Sequence, residues 1–354
     1  MTNESFRRLG RLAVLSLAAT LAACSGGDGP GDPGGGGAPE RVEVIVNSVS
    51  RTLSILSPDS ASPVVRTVEL GSQGSPVAAA VRGGLAVVPM GTYPFAVVVD
   101  LRTGVVTHTV ALPANSGATG AAFLNDSIVM IANPNRNTVS PVNAVTGTIK
   151  PELAVGTYPQ TVVPGPDVVF VLNANLVNFA PAGPGSVSVI TAANKVDATA
   201  SLQGINPTAG VVSGARLFIV NAGHFGGNDG TLSVLNLATA TEEVFTGFGE
   251  FPGSVDVGVS GNVYVGVYGT GILEWNPGVH QFVRGLDNPI VPAGGPPVSA
   301  VAVDYAGRLH TLNPGSCNAP GKEYRLVGST ANRTVTTGVC PFDIKFTQLA
   351  APTD

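Results

Sequence analysis

One short pattern recurs seven times in this chain. An apolar strand, often closed by Asn, leads through a turn into a Thr/Ser-Val-Ser-Val-like strand. A Val/Thr-rich strand carrying a charge follows, and a Gly-x-x-Pro turn opens a strand of small residues. The units begin near Val42, Leu85, Ile128, Val168, Leu217, Val263 and Leu309, at intervals of 43, 43, 40, 49, 46 and 46 residues. A four-stranded unit with this period cannot bury its two faces alone and must stack against its neighbours. The expectation is an all-β, seven-bladed β-propeller of four-stranded antiparallel blades over residues 41-349.

Charged residues make up 12% of the chain, about half the usual ~25%, beside 46 Gly and 28 Pro. Blades packed on both faces account for this, because their strands can be apolar throughout. The formal net charge is −5, with no Lys/Arg run after the first few residues, which excludes a nucleic-acid footprint.

The strand after each Gly-x-x-Pro is the innermost strand of the next blade. The first unit lacks one, since it opens directly at Val42. The missing strand is found at the other end, Pro341 to Phe346, and pairing it with the first three strands closes the ring. Residues 350-354 are then a short tail. Outermost strands remain as edges. Arg66, His108, Lys150, Asp197, Glu242, Arg284 and Arg333 lie on or beside them, where charge opposes pairing with another chain.

Residues 1-23 read as an export signal: Arg7, Arg8 and Arg11 precede the apolar run Leu12 to Ala23, whose 12 residues are too few to span a bilayer. The run ends in Leu21-Ala22-Ala23-Cys24, which resembles the lipobox of bacterial lipoproteins. That resemblance implies Cys24 as the lipidated first residue and, with Ser25 after it, the outer membrane in a Gram-negative envelope. A plain secretory signal and twin-arginine export through Arg7-Arg8 are the alternatives. The interval 24-40 contains eight Gly and three Pro between Ser25 and Pro39 and nothing apolar enough for a core, so it reads as a disordered tether.

Asn47, Asn133, Asn173, Asn221 and Asn313 close first strands. TLSIL (52-56), TVSPV (138-142), SVSVI (186-190) and TLSVL (231-235) form second strands. Gly-x-x-Pro or a close variant occurs at 73-76, 156-159, 204-207, 249-252 and 338-341. Here Asn suits a turn, Gly supplies a positive φ, and Pro enters a strand where no donor is needed. At these residues the chain resembles the YVTN family of β-propellers, which includes surface-layer, lactonase-like and cytochrome-associated members. VVPMG (87-91) and VGVYG (265-269) depart from the pattern.

Cys317 and Cys340 fall in loops of the same face and are expected to be disulfide-bonded, as persists outside the cytoplasm. Catalytic and metal-site motifs are nearly absent, and Gly258-Val-Ser-Gly261 is one residue short of a nucleophile elbow. Of the four histidines, 108, 224, 280 and 310, only His224 lies in a loop of the functional face, with Asp229 in the same Gly-rich segment. Arg136, Tyr158, Phe179 and Phe251 share that face. Asp256 and Lys345 lie near the ring centre and are expected to form a structural ion pair. The reading is a noncatalytic binding or scaffold module for a protein, peptide or glycan, tethered to the membrane through Cys24, without cofactor or metal. A monomeric domain is expected. The alternative is a lactonase-like hydrolase.

Overall fold

The computed structural model describes residues 39–351. The expected signal, Cys24 and nearly all of the tether lie outside the described residues. Seven antiparallel sheets stand in a ring, each with four strand positions. The innermost strands are Pro341–Leu349, Ala80–Arg82, Ala121–Phe123, Pro159–Gly165, Pro207–Ser213, Pro252–Val257 and Ala300–Val303, for blades 1 to 7. The second strands begin at Glu40, Leu85, Ile128, Val168, Arg216, Val263 and Leu309, so the expected starts are off by two residues in blade 1 and one in blade 5.

Closure occurs as expected. The strand Pro341–Leu349 pairs with Glu40–Asn47 and completes blade 1. The outer strand of blade 3 is broken into Thr148–Ile149 and Leu153–Ala154, with Pro151 between them unable to donate to the ladder. The insertion after Asn173 folds back as a two-stranded ribbon, Leu176–Val177 with Ala180–Pro181.

Each junction between blades has its own apolar cluster. Val44, Val88 and Val99 meet between blades 1 and 2, and Phe170, Leu217 and Leu235 between blades 4 and 5. Alternate residues of one strand serve opposite junctions, Val44 facing blade 2 and Ile45 facing blade 7. The cluster between blades 7 and 1 is small, with Ile45, Leu312 and Ile344 at its centre. Polar side chains fill the remainder of that seam.

Near the ring centre, bonds from side chains lace each innermost strand to the next. Thr119 Oγ1 donates to the Gln160 carbonyl at 2.8 Å, and Thr161 Oγ1 to the Thr208 carbonyl at 2.6 Å. Thr208 Oγ1 donates to the Pro252 carbonyl at 3.0 Å, and the Val301 N–H to Ser254 Oγ at 3.1 Å. Ser299 Oγ donates to the Pro341 carbonyl at 2.7 Å, and the Ala79 N–H to Asp343 Oδ2 at 2.9 Å. Blades 2 and 3 are joined by the Gly91 N–H to the Ala118 carbonyl and by Arg82 Nε, which donates to Asp126 Oδ1 at 2.7 Å.

The expected Asp256–Lys345 pair is not made directly. Lys345 Nζ bonds Asp343 at 2.8 Å, while Asp256 accepts the N–H groups of Val303 at 2.7 Å and Val257 at 2.8 Å. One backbone donor from the neighbouring innermost strand, Val303, and one from its own strand, Val257, hold the Asp256 carboxylate in place.

The outer-strand charges also bond to neighbouring blades. Arg66 donates to the carbonyls of Leu101 and Arg102, the His108 ring lies 3.1 Å from the Val145 carbonyl, and Glu242 accepts the Gln203 N–H. Arg333 departs from the expectation altogether. It is 4% exposed and belongs to the seam between blades 7 and 1. Its position on the outer strand points inward, where buried carboxylates hold it.

Removing residues 341-354 takes away the innermost strand of blade 1. Thermal unfolding of that truncation should show loss of the single cooperative transition, or aggregation, since blade 1 and both junctions beside it lose support. A transition matching that of the full chain would show that closure lies elsewhere.

Candidate functional site

The loops after the second strands and the Gly-x-x-Pro connections emerge on the same end of the ring, here called the upper face. Their positions follow from one buried polar motif. The side-chain amide of Asn47 donates to Thr52 Oγ1 at 3.1 Å and Ser54 Oγ at 3.0 Å. Asn133 repeats this with Thr138 and Ser140, Asn173 with Ser186 and Ser188, and Asn221 with Thr231 and Ser233. Hydroxyls two residues apart share one face of a strand, so one amide reaches both. This is the physical content of Asn followed by Thr/Ser-x-Ser.

The glycine that opens the connection packs on the same amide. A Cβ on Gly156 would lie 2.6 Å from the Asn173 amide carbon, and one on Gly338 would lie 2.7 Å from that of Asn47. At these positions the glycine serves close approach rather than a positive φ, contrary to the sequence expectation. The left-handed residue is the one before proline: φ is 54° at Tyr158, 56° at Asn206, 53° at Phe251 and 61° at Cys340. Such a backbone in a bulky residue costs about 1–3 kcal/mol and persists only where its surroundings enforce it.

Each of these residues meets a loop after a second strand, Asn206 by donating its side-chain amide to the Gly223 carbonyl at 3.5 Å. Cys340 is disulfide-bonded to Cys317 with Cα atoms 4.5 Å apart, as the sequence predicts. Phe251 packs on Phe225 at 5.6 Å between ring centroids, in the corresponding place between blades 5 and 6. Tyr158 meets Phe179 edge to face at 6.2 Å within blade 4. Phe179 and Phe225 remain 68% and 53% exposed, so the paired rings present apolar surface to solvent.

Asp229 sits inside its loop, accepting the His224 N–H at 3.0 Å and lying 2.7 Å from His224 Nδ1. The ring hydrogen bond of His224 is the main force holding the Asp229 carboxyl below its usual range. Arg136 and Glu152 form a two-pronged pair at 2.9 and 2.7 Å, and Glu152 also accepts from Asn133 and Thr138. The hydrogen bond from Arg136 lowers the Glu152 pKa. The expected site residues therefore resolve into paired groups. Among the described residues, no hydrogen bond or ion pair joins the Arg136 group to the His224 group.

Sequence reading missed the most concentrated set of ionisable side chains. Glu43 of blade 1 faces His310, Glu323 and Arg333 of blade 7, all nearly inaccessible to solvent. Arg333 Nη2 lies 2.6 Å from Glu43 and 2.9 Å from Glu323. His310 Nδ1 is 2.8 Å from Glu323 Oε1, and its Nε2 is 3.1 Å from Asp304. Arg325 and Arg333 extend the network to the backbone carbonyls of Pro58 and Ser60. Ligand atoms of Glu43, His310 and Glu323 lie within 4.8 Å of one another, a set able to ligate a metal. The Arg333 guanidinium already lies between the two glutamates, and with His310 protonated the positive and negative charges of the four side chains balance. The arrangement therefore fits a structural ion cluster better than a divalent-cation site.

Burial, followed by the Glu323 carboxylate, raises the Glu43 pKa to about 7. Burial opposes protonation of His310, but hydrogen bonds to Asp304 and Glu323 raise its pKa. The signal in the sequence was charge at inward positions of strands that are apolar elsewhere in the ring.

Comparison with known proteins agrees with the architecture. No family model and no curated protein matches this sequence. Among solved structures, the chain is similar to "Kuenenia stuttgartiensis Hydrazine Synthase", with a TM-score of 0.57 and 14% identity, over 72% of this chain and 78% of that one. A likeness at that identity establishes the propeller fold alone.

Two outcomes follow. Gly156→Ala should destabilise the domain by about 1–3 kcal/mol through overpacking against Asn173, measured by denaturant unfolding. The folded state binds protons at Glu43 and His310 more tightly than the unfolded chain. The contribution of Glu43 is complete below about pH 4.5 and declines as pH rises through about 7, and that of His310 is lost as pH rises above the usual imidazole range. The melting temperature should therefore fall between about pH 5 and 8, and Glu43→Gln should flatten that decline. An unchanged slope in Glu43→Gln would remove Glu43 as its source.

Proposed function

We propose that this protein is a lipid-anchored propeller of the bacterial cell envelope, similar to the YVTN family, that binds a protein, peptide or glycan on its upper face without turnover. The observation that carries this reading is the mounting of the aromatic pairs. Tyr158 and Phe251 stand at backbone positions unfavourable to bulky side chains and support the exposed rings of Phe179 and Phe225. A rigid scaffold holding apolar rings in water presents a preorganised contact surface, which lowers the entropic cost of binding.

Anchorage at Cys24 supports the same orientation. The strand Glu40–Asn47 runs from the lower face to the upper, so the described chain begins at the lower face, at the opposite end of the ring from the aromatic rings. The envelope location also agrees with a disulfide, which oxidising compartments preserve.

The test screens the purified protein against glycan and peptide arrays, beside an assay of lactone hydrolysis. Phe179→Ala with Phe225→Ala should weaken the selected interaction about tenfold or more while leaving the melting temperature unchanged. Saturable lactone hydrolysis abolished by His224→Ala would instead place the protein among the hydrolases. Mass spectrometry of membrane-extracted protein should show an acylated peptide beginning at Cys24. A mature chain beginning elsewhere would remove the anchor.

A further inference from the structure

The lower face is divided in its chemistry. In blades 6, 7 and 1 its loops end in bare apolar side chains: Val259 is 86% exposed, Val279 63%, Tyr305 50%, Val327 62% and Val64 88%. The corresponding tips of blades 2 to 5 carry Arg82, Asp126, Asp167, Asn194 and Arg216, with Val105 of blade 2 and Val145 of blade 3 as apolar exceptions.

The apolar tips form one sector. A Cβ on Gly307 of blade 7 would meet Val259 Cγ1 of blade 6, so those loops touch. Arg308 of blade 7 binds Asp59 of blade 1 at 2.6 Å, and the Tyr305 hydroxyl donates to the Phe346 carbonyl of blade 1 at 3.3 Å. Charge inside the sector is largely internally paired. Asp59 lies between Arg308 and Arg41, and Arg308 also binds Asp304 at 2.6 Å.

The ends of the described chain emerge in this sector. Glu40 begins the second strand of blade 1 at the lower face, and Leu349 ends the innermost strand beside it. Only 15 residues lie between Cys24 and Glu40, a span of about 50 Å when fully extended.

From this placement we propose that the lower sector of blades 6, 7 and 1 seats on the lipid bilayer, inserting the tips at Val64, Val259 and Val279 among the headgroups. The inference rests on the lipid anchor proposed above. Acylation brings the chain to a membrane, and apolar side chains beside the anchor supply a second contact at the headgroups. Pairing of Asp59, Asp304, Arg41 and Arg308 lowers the cost of bringing those charges near lipid, while the exposed Glu40 carboxylate has no ion-pair partner among the described residues. The contact also fixes the tilt of the ring, leaving the upper face directed away from the bilayer.

Tryptophan quenching tests this on the full-length, acylated protein in phosphatidylethanolamine/phosphatidylglycerol vesicles with brominated acyl chains. The native Trp275 is 2% exposed and gives a constant background. Val259→Trp should be quenched at least twofold, whereas Phe179→Trp on the upper face should match the background. If the protein sediments with vesicles and Val259→Trp is unquenched, the seating is wrong while the anchor stands. Failure to sediment overturns both. A dimer in detergent that Val259→Asp converts to monomer would assign the sector to a second copy of this chain and overturn the proposal.

Discussion

Every blade of this ring depends on two neighbours, and one seam must join the ends of the chain. A four-stranded blade has two broad faces, and neither is covered within the repeat that forms it. The junction of blades 7 and 1 combines a strand exchanged between distant parts of the sequence, a disulfide on the upper side and a buried ionic network. Its apolar cluster is small, and charged hydrogen bonds share the work that aliphatic contacts perform elsewhere. Such a network penalises misplacement heavily, because moving Arg333 would take from the buried Glu43 its partner at 2.6 Å and leave Glu323 with His310 alone. The seam therefore favours one register of closure, in which Glu43 meets blade 7 and Val44 meets blade 2.

The repeat made the architecture legible for a local reason. Asn, Thr/Ser-x-Ser and Gly all contact one another within a blade, so their spacing survives as a readable pattern. The last strand was legible by subtraction, since the first unit lacks an innermost strand. The ionic network was harder to read because its members come from positions 43, 304, 310, 323 and 333, and alternation alone does not show which face of a strand meets which blade. Arg333 illustrates the difficulty: an outer-strand arginine reads as a solvated edge charge until the neighbouring blade is in place.

The upper face was legible as a set of loops but not as a set of pairs. Tyr158 and Phe179 are 21 positions apart, and Phe225 and Phe251 are 26 apart; only the ring brings them together. His224 and Asp229 are near in sequence, but their geometry shows the carboxylate organising its own loop. The inner lacing by Thr119, Thr161, Thr208, Ser254, Ser299 and Asp343 gave no sequence signal, because one hydroxyl or carboxylate per strand is unremarkable before the strands are arranged around an axis.

The left-handed residue before proline has a consequence for how such a surface can diversify. In four of the connections the same backbone socket holds tyrosine, asparagine, phenylalanine and cysteine, and its occupant meets an aromatic ring, a backbone carbonyl or a disulfide-bonded sulfur across the gap. The socket specifies a direction and leaves the chemistry free. A propeller built this way is a peg-board: exchanging one peg and its counterpart rewrites the exposed rim at one blade, while the strands that carry the remaining pegs retain their places.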